Sequence, residues 1–126
     1  VKQYRLRTAL LLHAFVWWAW HLPVIVWMGM TEKLTDNMGT SIAIMLAVSL
    51  IPTMMNAMIY AYIWTVTQSL AVVTVYHAAF DEIRDAIETS IGLSPLVQVW
   101  QMLTLTVLGG LLLWKGNWKQ LTAKKT

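Results

Sequence analysis

No cysteine occurs among the 126 residues, which excludes a disulfide framework, a thiolate metal site and a cysteine nucleophile, and leaves the redox compartment unread. Charge is nearly as scarce: Asp, Glu, Lys and Arg make up 12% of the chain, against about 25% in a soluble domain. Hydrophobic residues fill the difference, at 58% against the roughly 45 to 50% of a soluble domain. That balance points to a membrane protein. The net charge of +3 does not point to nucleic acid as a partner, because the basic residues crowd the two ends and form no face on a folded domain.

Three long intervals carry no Asp, Glu, Lys or Arg: Thr8 to Met30, Asn37 to Phe80 and Thr89 to Trp114. A membrane helix needs about 20 residues, at 1.5 Å each, to cross roughly 30 Å of hydrocarbon. The first and last intervals fit one span each, and the middle one is long enough for two. The polar cluster Thr65-Val66-Thr67-Gln68 is the expected break, giving spans near 41–64 and 69–88. Pro52 is the rival break, but a membrane helix tolerates proline when neighbours satisfy the freed carbonyl. The expected fold is therefore all-α, a polytopic bundle of about four transmembrane helices forming a single domain over residues 1–126. The third helix leaves the lipid at Asp81, Glu82, Arg84, Asp85 and Glu88.

The charges also set an orientation. With four spans the two termini share a side, which collects Lys2, Arg5, Arg7, Lys115, Lys119, Lys124 and Lys125 and leaves only Lys33 and Arg84 opposite. The excess of Lys and Arg on cytoplasmic loops puts both ends in the cytoplasm, with 115–126 as a basic tail that is disordered or lies on anionic headgroups. Several of the eight tryptophans fall near span ends, as an interfacial belt requires, and those nearer mid-span line a cavity or a helix contact. The first apolar run exceeds the 7 to 15 residues of a signal-peptide core and precedes no small-residue cleavage site, so it reads as a retained span.

Against this background His21, His77 and Asp81 stand out. An Asp at bilayer depth costs about 2.5 to 3.5 kcal/mol on insertion scales, so such groups mark a site where they pair or bind something. His77 and Asp81 are four residues apart, which stacks them on one helix face. His13 lacks a comparable setting and reads as structural. Met45, Met54, Met55 and Met58 read as adaptable core packing, and Gly109-Gly110 as a place of close helix approach.

The wording around these residues resembles one family. Phe15-Val-Trp-Trp-Ala-Trp-His21-Leu-Pro23 is similar to the second motif of the CPBP intramembrane proteases, the CAAX-processing and bacteriocin-immunity group, in which an aromatic residue precedes a histidine by four; Trp17 takes that place. Thr67-Gln68-Ser69, an apolar run and His77-Ala-Ala-Phe-Asp81 resemble the later motif, a Thr-x-Ser turn leading to His-x-x-x-Asn or Asp. The resemblance spans roughly Trp17 to Asp81. It implies an intramembrane endopeptidase that hydrolyses peptides with a bound water, in which His21, His77 and Asp81 form the site. It also implies that these three hold a divalent metal, with Zn fitting two histidines and carboxylates. An ionised Asp81 cannot donate to an oxyanion, so a ligand role suits it better than the family's Asn role. The partners implied are membrane lipid and a peptide or protein substrate, prenylated in one branch of the family, and the location is a bacterial plasma membrane.

The family's first motif, Glu-Glu-x-x-x-Arg, is missing; Glu32 and Glu82 stand in the wrong places. The chain begins with Val1 and a basic segment, as if cut just after that motif, so the resemblance implies a C-terminal part whose further helices belong to the same protein. Alone it is expected to lack hydrolytic activity. The competing expectation is a non-catalytic membrane protein, such as an immunity factor or a small ion or proton-relay subunit, that uses the same histidines structurally or for ions.

Overall fold

A computed structural model describes residues 3–32, 34–91 and 95–118. All regular structure among them is helical: α1 (Gln3–Trp20), α2 (Leu22–Thr31), α3 (Met38–Thr67), α4 (Leu70–Ile91) and α5 (Pro95–Lys115). The long helix α3 is the hub and packs against each of the other four. Its buried stretch, Met55, Ala57, Met58, Ile59 and Tyr60, forms the centre of the molecule, where Leu10 and Ala14 of α1 and Trp118 beyond α5 close over it. Met58 is fully buried and Met55 nearly so, which places both methionines in the packed core expected of them.

The first apolar interval is not one straight rod. α1 and α2 meet at 48° around His21. Pro23 sits in the first turn of α2, where its missing N–H is harmless to α2 but leaves the Ala19 carbonyl without its helical partner. The His21 N–H turns to the Trp18 carbonyl at 2.9 Å instead of reaching back four residues. The carbonyl of Trp17, deserted by that shift, is taken up by the His21 side chain, whose Nδ1–H donates to it at 2.7 Å. The bend is thus stabilised by the histidine that the sequence marks out.

The break between α3 and α4 falls at Gln68 and Ser69, at the end of the predicted polar cluster. Gln68 takes a left-handed conformation (φ 51°), its N–H bonds the Trp64 carbonyl, and its side-chain amide donates to the carbonyls of Trp64 and Thr65, both at 3.1 Å. Such a residue closes a helix by satisfying its last carbonyls. The Thr67 hydroxyl accepts the Ser69 N–H at 3.3 Å, and the Ser69 hydroxyl accepts that of Val72 at 3.4 Å, so Thr67-Gln68-Ser69 forms a turn into α4. Pro52 remains inside α3 without ending it.

Glycine decides how closely the neighbours approach α3. A Cβ on Gly109 of α5 would meet the Met55 carbonyl oxygen, so α5 lies directly on the α3 backbone; one on Gly110 would meet nothing within 4 Å. A Cβ on Gly29 of α2 would come within 2.7 Å of the Ile42 Cα. Between α1 and α3, the Trp18 indole N–H donates to the Ser49 hydroxyl at 3.2 Å.

Arg7, near the start of α1, donates to the Trp114 carbonyl at 2.7 Å and lies 5.0 Å over the Trp114 ring, near the end of α5. A guanidinium on the last carbonyls of a helix is favourably placed against its dipole. The contact brings the beginning of α1 and the end of α5 together. Beyond α5 the chain does not leave the fold at once as a free tail would: Trp118 is 4% exposed, packs edge-on against Tyr62 and donates to the Leu112 carbonyl at 3.0 Å. The rest of the predicted tail, 119–126, lies outside the described residues.

Among the described residues one helix, α3, is by length and composition long and apolar enough to cross a membrane, and the bent α1–α2 pair passes the same test if counted as one span. α4 keeps the apolar first half and charged second half that its sequence carries.

Candidate functional site

The site grows from three elements that contribute one side chain to each other's surroundings. Trp17 comes from the last turn of α1, Tyr60 from the buried stretch of α3, and His77 from α4 two turns past the Ser69 turn. The His77 imidazole stacks on the Tyr60 ring, with centroids 5.1 Å apart and planes at 22°. Trp17 closes the triangle, 5.6 Å from His77 and 5.7 Å from Tyr60. The Trp17 ring also lies 5.3 Å from the His21 imidazole. One indole therefore touches both histidines that the sequence singles out, although they are 56 residues apart.

His77 and Asp81 are bonded as their spacing predicts, Nε2 to Oδ2 at 3.1 Å. The other carboxylate oxygen of Asp81 meets the Arg84 guanidinium at 3.2 Å. Arg84 also pairs with Asp85 at 2.9 Å. All three sit on the half-exposed face of α4, where water screens such pairs and each contributes at most about 1 kcal/mol to stability. Their effect is on orientation. An Asp81 carboxylate that accepts from His77 Nε2–H fixes the tautomer and leaves the Nδ1 lone pair of a neutral imidazole free. In His21 the assignment is reversed: Nδ1–H is held by the Trp17 carbonyl, and Nε2 carries the free lone pair.

An apolar groove of about 340 Å³ runs between α1, α3 and α4 along this cluster. Its walls are Trp17, Ala57, Ala61, Trp64, Leu70 and Val73, and its polar groups are His13, Tyr60 and His77. The alanines at 57 and 61 make the room, since larger side chains on that face of α3 would fill it. His13, read from sequence as structural, lines the groove one turn before Trp17 and is exposed.

The three predicted site residues are thus brought together in part. His77 and Asp81 bond directly, and His21 reaches His77 through the shared Trp17 ring. Among the described residues no three His, Asp or Glu side chains converge as a ligand set, and both Asp81 oxygens are engaged by His77 and Arg84. The two imidazoles do fit the role of metal ligands in one respect: each has one ring nitrogen held by a carbonyl or carboxylate, the usual device for aiming the other nitrogen at a metal. Tyr60, Asn56 and the two alanines were missed by sequence reasoning. The available signal was Asn56 and Tyr60 at i,i+4 in an otherwise apolar helix, a polar pair with the same spacing as His77 and Asp81.

No protein-family model, no curated protein and no solved structure matches this chain.

Proposed function

We propose that this chain is the histidine-bearing body of an intramembrane endopeptidase of the CPBP, CAAX-processing type, embedded as four spans with both termini in the cytoplasm of a bacterial cell. The observation that carries this reading is the Trp17 indole lying against both His21 and His77, with His77 bonded to Asp81. Structural histidines in unrelated places have no reason to share one ring. The membrane placement is supported by apolar side chains directed outward along the helices, including Leu12, Val16, Leu70 and Val75, each more than 60% exposed. It is supported also by the meeting of Arg7 with Trp114, which fits an even number of crossings.

In this reading His77 presents Nδ1 to a water or a metal in the groove it lines, and His21 presents Nε2 from beside the Trp17 ring. Asp81 holds the His77 ring in position, and Arg84 holds Asp81. A divalent metal, Zn by its preference for imidazole, would draw on His21 or His77 and a carboxylate; when bound it polarises a carbonyl and acidifies water. The aromatic walls of Trp17, Tyr60 and Trp64 keep bulk water from the peptide bond, and Ala57 and Ala61 leave space for an apolar segment beside it.

In the reading frame that contains this chain, a Glu-Glu-x-x-x-Arg helix supports the endopeptidase reading and its lack favours the non-catalytic one. The protein that the complete frame encodes, purified in lipid discs, should cleave members of a quenched fluorescent peptide library. His21→Ala and His77→Ala should each lower the rate at least about 100-fold, the scale of losing a positioned acid-base group, with membrane insertion unchanged. Retained cleavage in either variant overturns the roles given to the histidines. An inert wild-type protein overturns the endopeptidase reading and favours a non-catalytic membrane protein.

A further inference from the structure

Peptide hydrolysis needs a hydrogen-bond donor for the oxyanion, and the residue that the motif offers for that task is spent. Both oxygens of Asp81 are engaged, one by His77 and one by Arg84, and an ionised carboxylate has no proton to donate. The groove contains another candidate. Tyr60 lies beneath the His77 imidazole at 5.1 Å, is 8% exposed and lines the groove that ends there. Its hydroxyl accepts a hydrogen bond from Asn56 Nδ2 at 3.2 Å, which fixes the oxygen while leaving its own proton uncommitted. Asn56 Oδ1, on the other side of the same amide, is buried with no partner. A buried polar pair one partner short costs about 1 to 3 kcal/mol in a protein that does no more than fold, so its place beside the imidazole calls for a reason.

We propose that Tyr60 is a catalytic residue whose hydroxyl donates a hydrogen bond to the carbonyl oxygen of the peptide bond being cut. The inference rests on the endopeptidase reading and adds to it a donor that the motif resemblance does not supply. The water oxygen attacks the carbonyl carbon, and its proton passes to Nδ1 of His77, whose ring Asp81 holds at Nε2. The π electrons of the carbonyl move to oxygen, where Tyr60 O–H meets the developing charge without giving up its proton. On collapse the C–N bond breaks, the amine takes the proton from His77, and Tyr60 is unchanged. Asn56 is a positioning residue that holds the phenol oxygen. Donors preset toward a developing charge act with little reorganisation, which is why a single one has a large effect on rate.

The test is Tyr60→Phe in the protein of the complete reading frame, in lipid discs. The ring and its stacking on His77 are kept, so the fold should hold, checked by an unchanged thermal unfolding midpoint. The expected result is a fall in kcat of about 100-fold with KM within about twofold, because the bond is made to the oxyanion more strongly than to the ground-state carbonyl. Asn56→Ala should lower kcat by a smaller factor, with the phenol retained but no longer held. A Tyr60→Phe variant with kcat within twofold of wild type, or one that raises KM alone, overturns the proposal while leaving the histidine roles intact. A wild-type protein that cleaves nothing overturns both this role and the reading beneath it.

Discussion

α3 meets α5 and α4 in opposite ways. Toward α5 the seam is closed: Gly109 lets the α5 backbone rest on the Met55 carbonyl, and Met55, Met58 and Trp118 fill what remains. Toward α4 the seam is open: Ala57 and Ala61 leave an apolar groove, with His13, Tyr60 and His77 among its lining residues. Within a bilayer there is no hydrophobic drive between helices, so a seam holds by close packing or by hydrogen bonds. The closed seam is the scaffold, and in the endopeptidase reading proposed above the open one admits the substrate.

Three substitutions sharpen or break that contrast. The largest effect is expected from Gly109→Leu, whose side chain would have to displace the α3 backbone at Met55; stability should fall by about 3 kcal/mol, the upper range for overpacking, read as a lowered unfolding midpoint in detergent. Ala61→Leu projects into the groove instead and should change stability by less than about 1 kcal/mol, while cleavage by the complete protein falls because the space beside His77 is filled. If Ala61→Leu destabilises as much as Gly109→Leu, the α3–α4 seam is not open. The smallest effect belongs to Gly110→Ala, which meets no atom and should gain up to about 1 kcal/mol by relieving the helix cost of glycine.

Much of the fold was legible because lipid-like segments announce themselves by the absence of charge. The end of α3 at Gln68 followed from the one polar cluster suitably placed to divide the long middle interval, and the survival of α3 through Pro52 followed from the tolerance of such helices for proline. What periodicity and charge did not carry was the bend at His21. Pro23 and Pro52 look alike as interruptions of an apolar run, yet one marks a 48° break and the other none. The difference lies in the His21 side chain, which replaces the lost backbone bond to Trp17; that histidine was marked as polar in an apolar place but its local bond was not foreseen. The glycine pair was read correctly as a contact, although only Gly109 makes it. Trp118 was grouped with the basic tail because its neighbours are charged, whereas its indole is drawn back into the core by Tyr62 and the Leu112 carbonyl.

For the site, spacing alone sufficed for His77 with Asp81, since four residues on one helix fix their proximity. The approach of both His21 and His77 to Trp17 could be anticipated only from the motif resemblance, because it depends on how α1 and α4 pack against α3. Tyr60 was hidden for the same reason: an aromatic residue in an apolar helix is ordinary until its neighbours are known.

The account stands on the Trp17 ring lying against both His21 and His77, and the absence of cysteine from these 126 residues gives a clean way to measure it. In the double variant His21→Cys, His77→Cys, treated in membranes with a bifunctional methanethiosulfonate reagent that spans little more than one aromatic ring, the two positions should cross-link efficiently, whereas Val16→Cys with His77→Cys should not. Failure of the first pair to cross-link, with both thiols shown to react singly, would contradict the convergence on which the proposed chemistry depends.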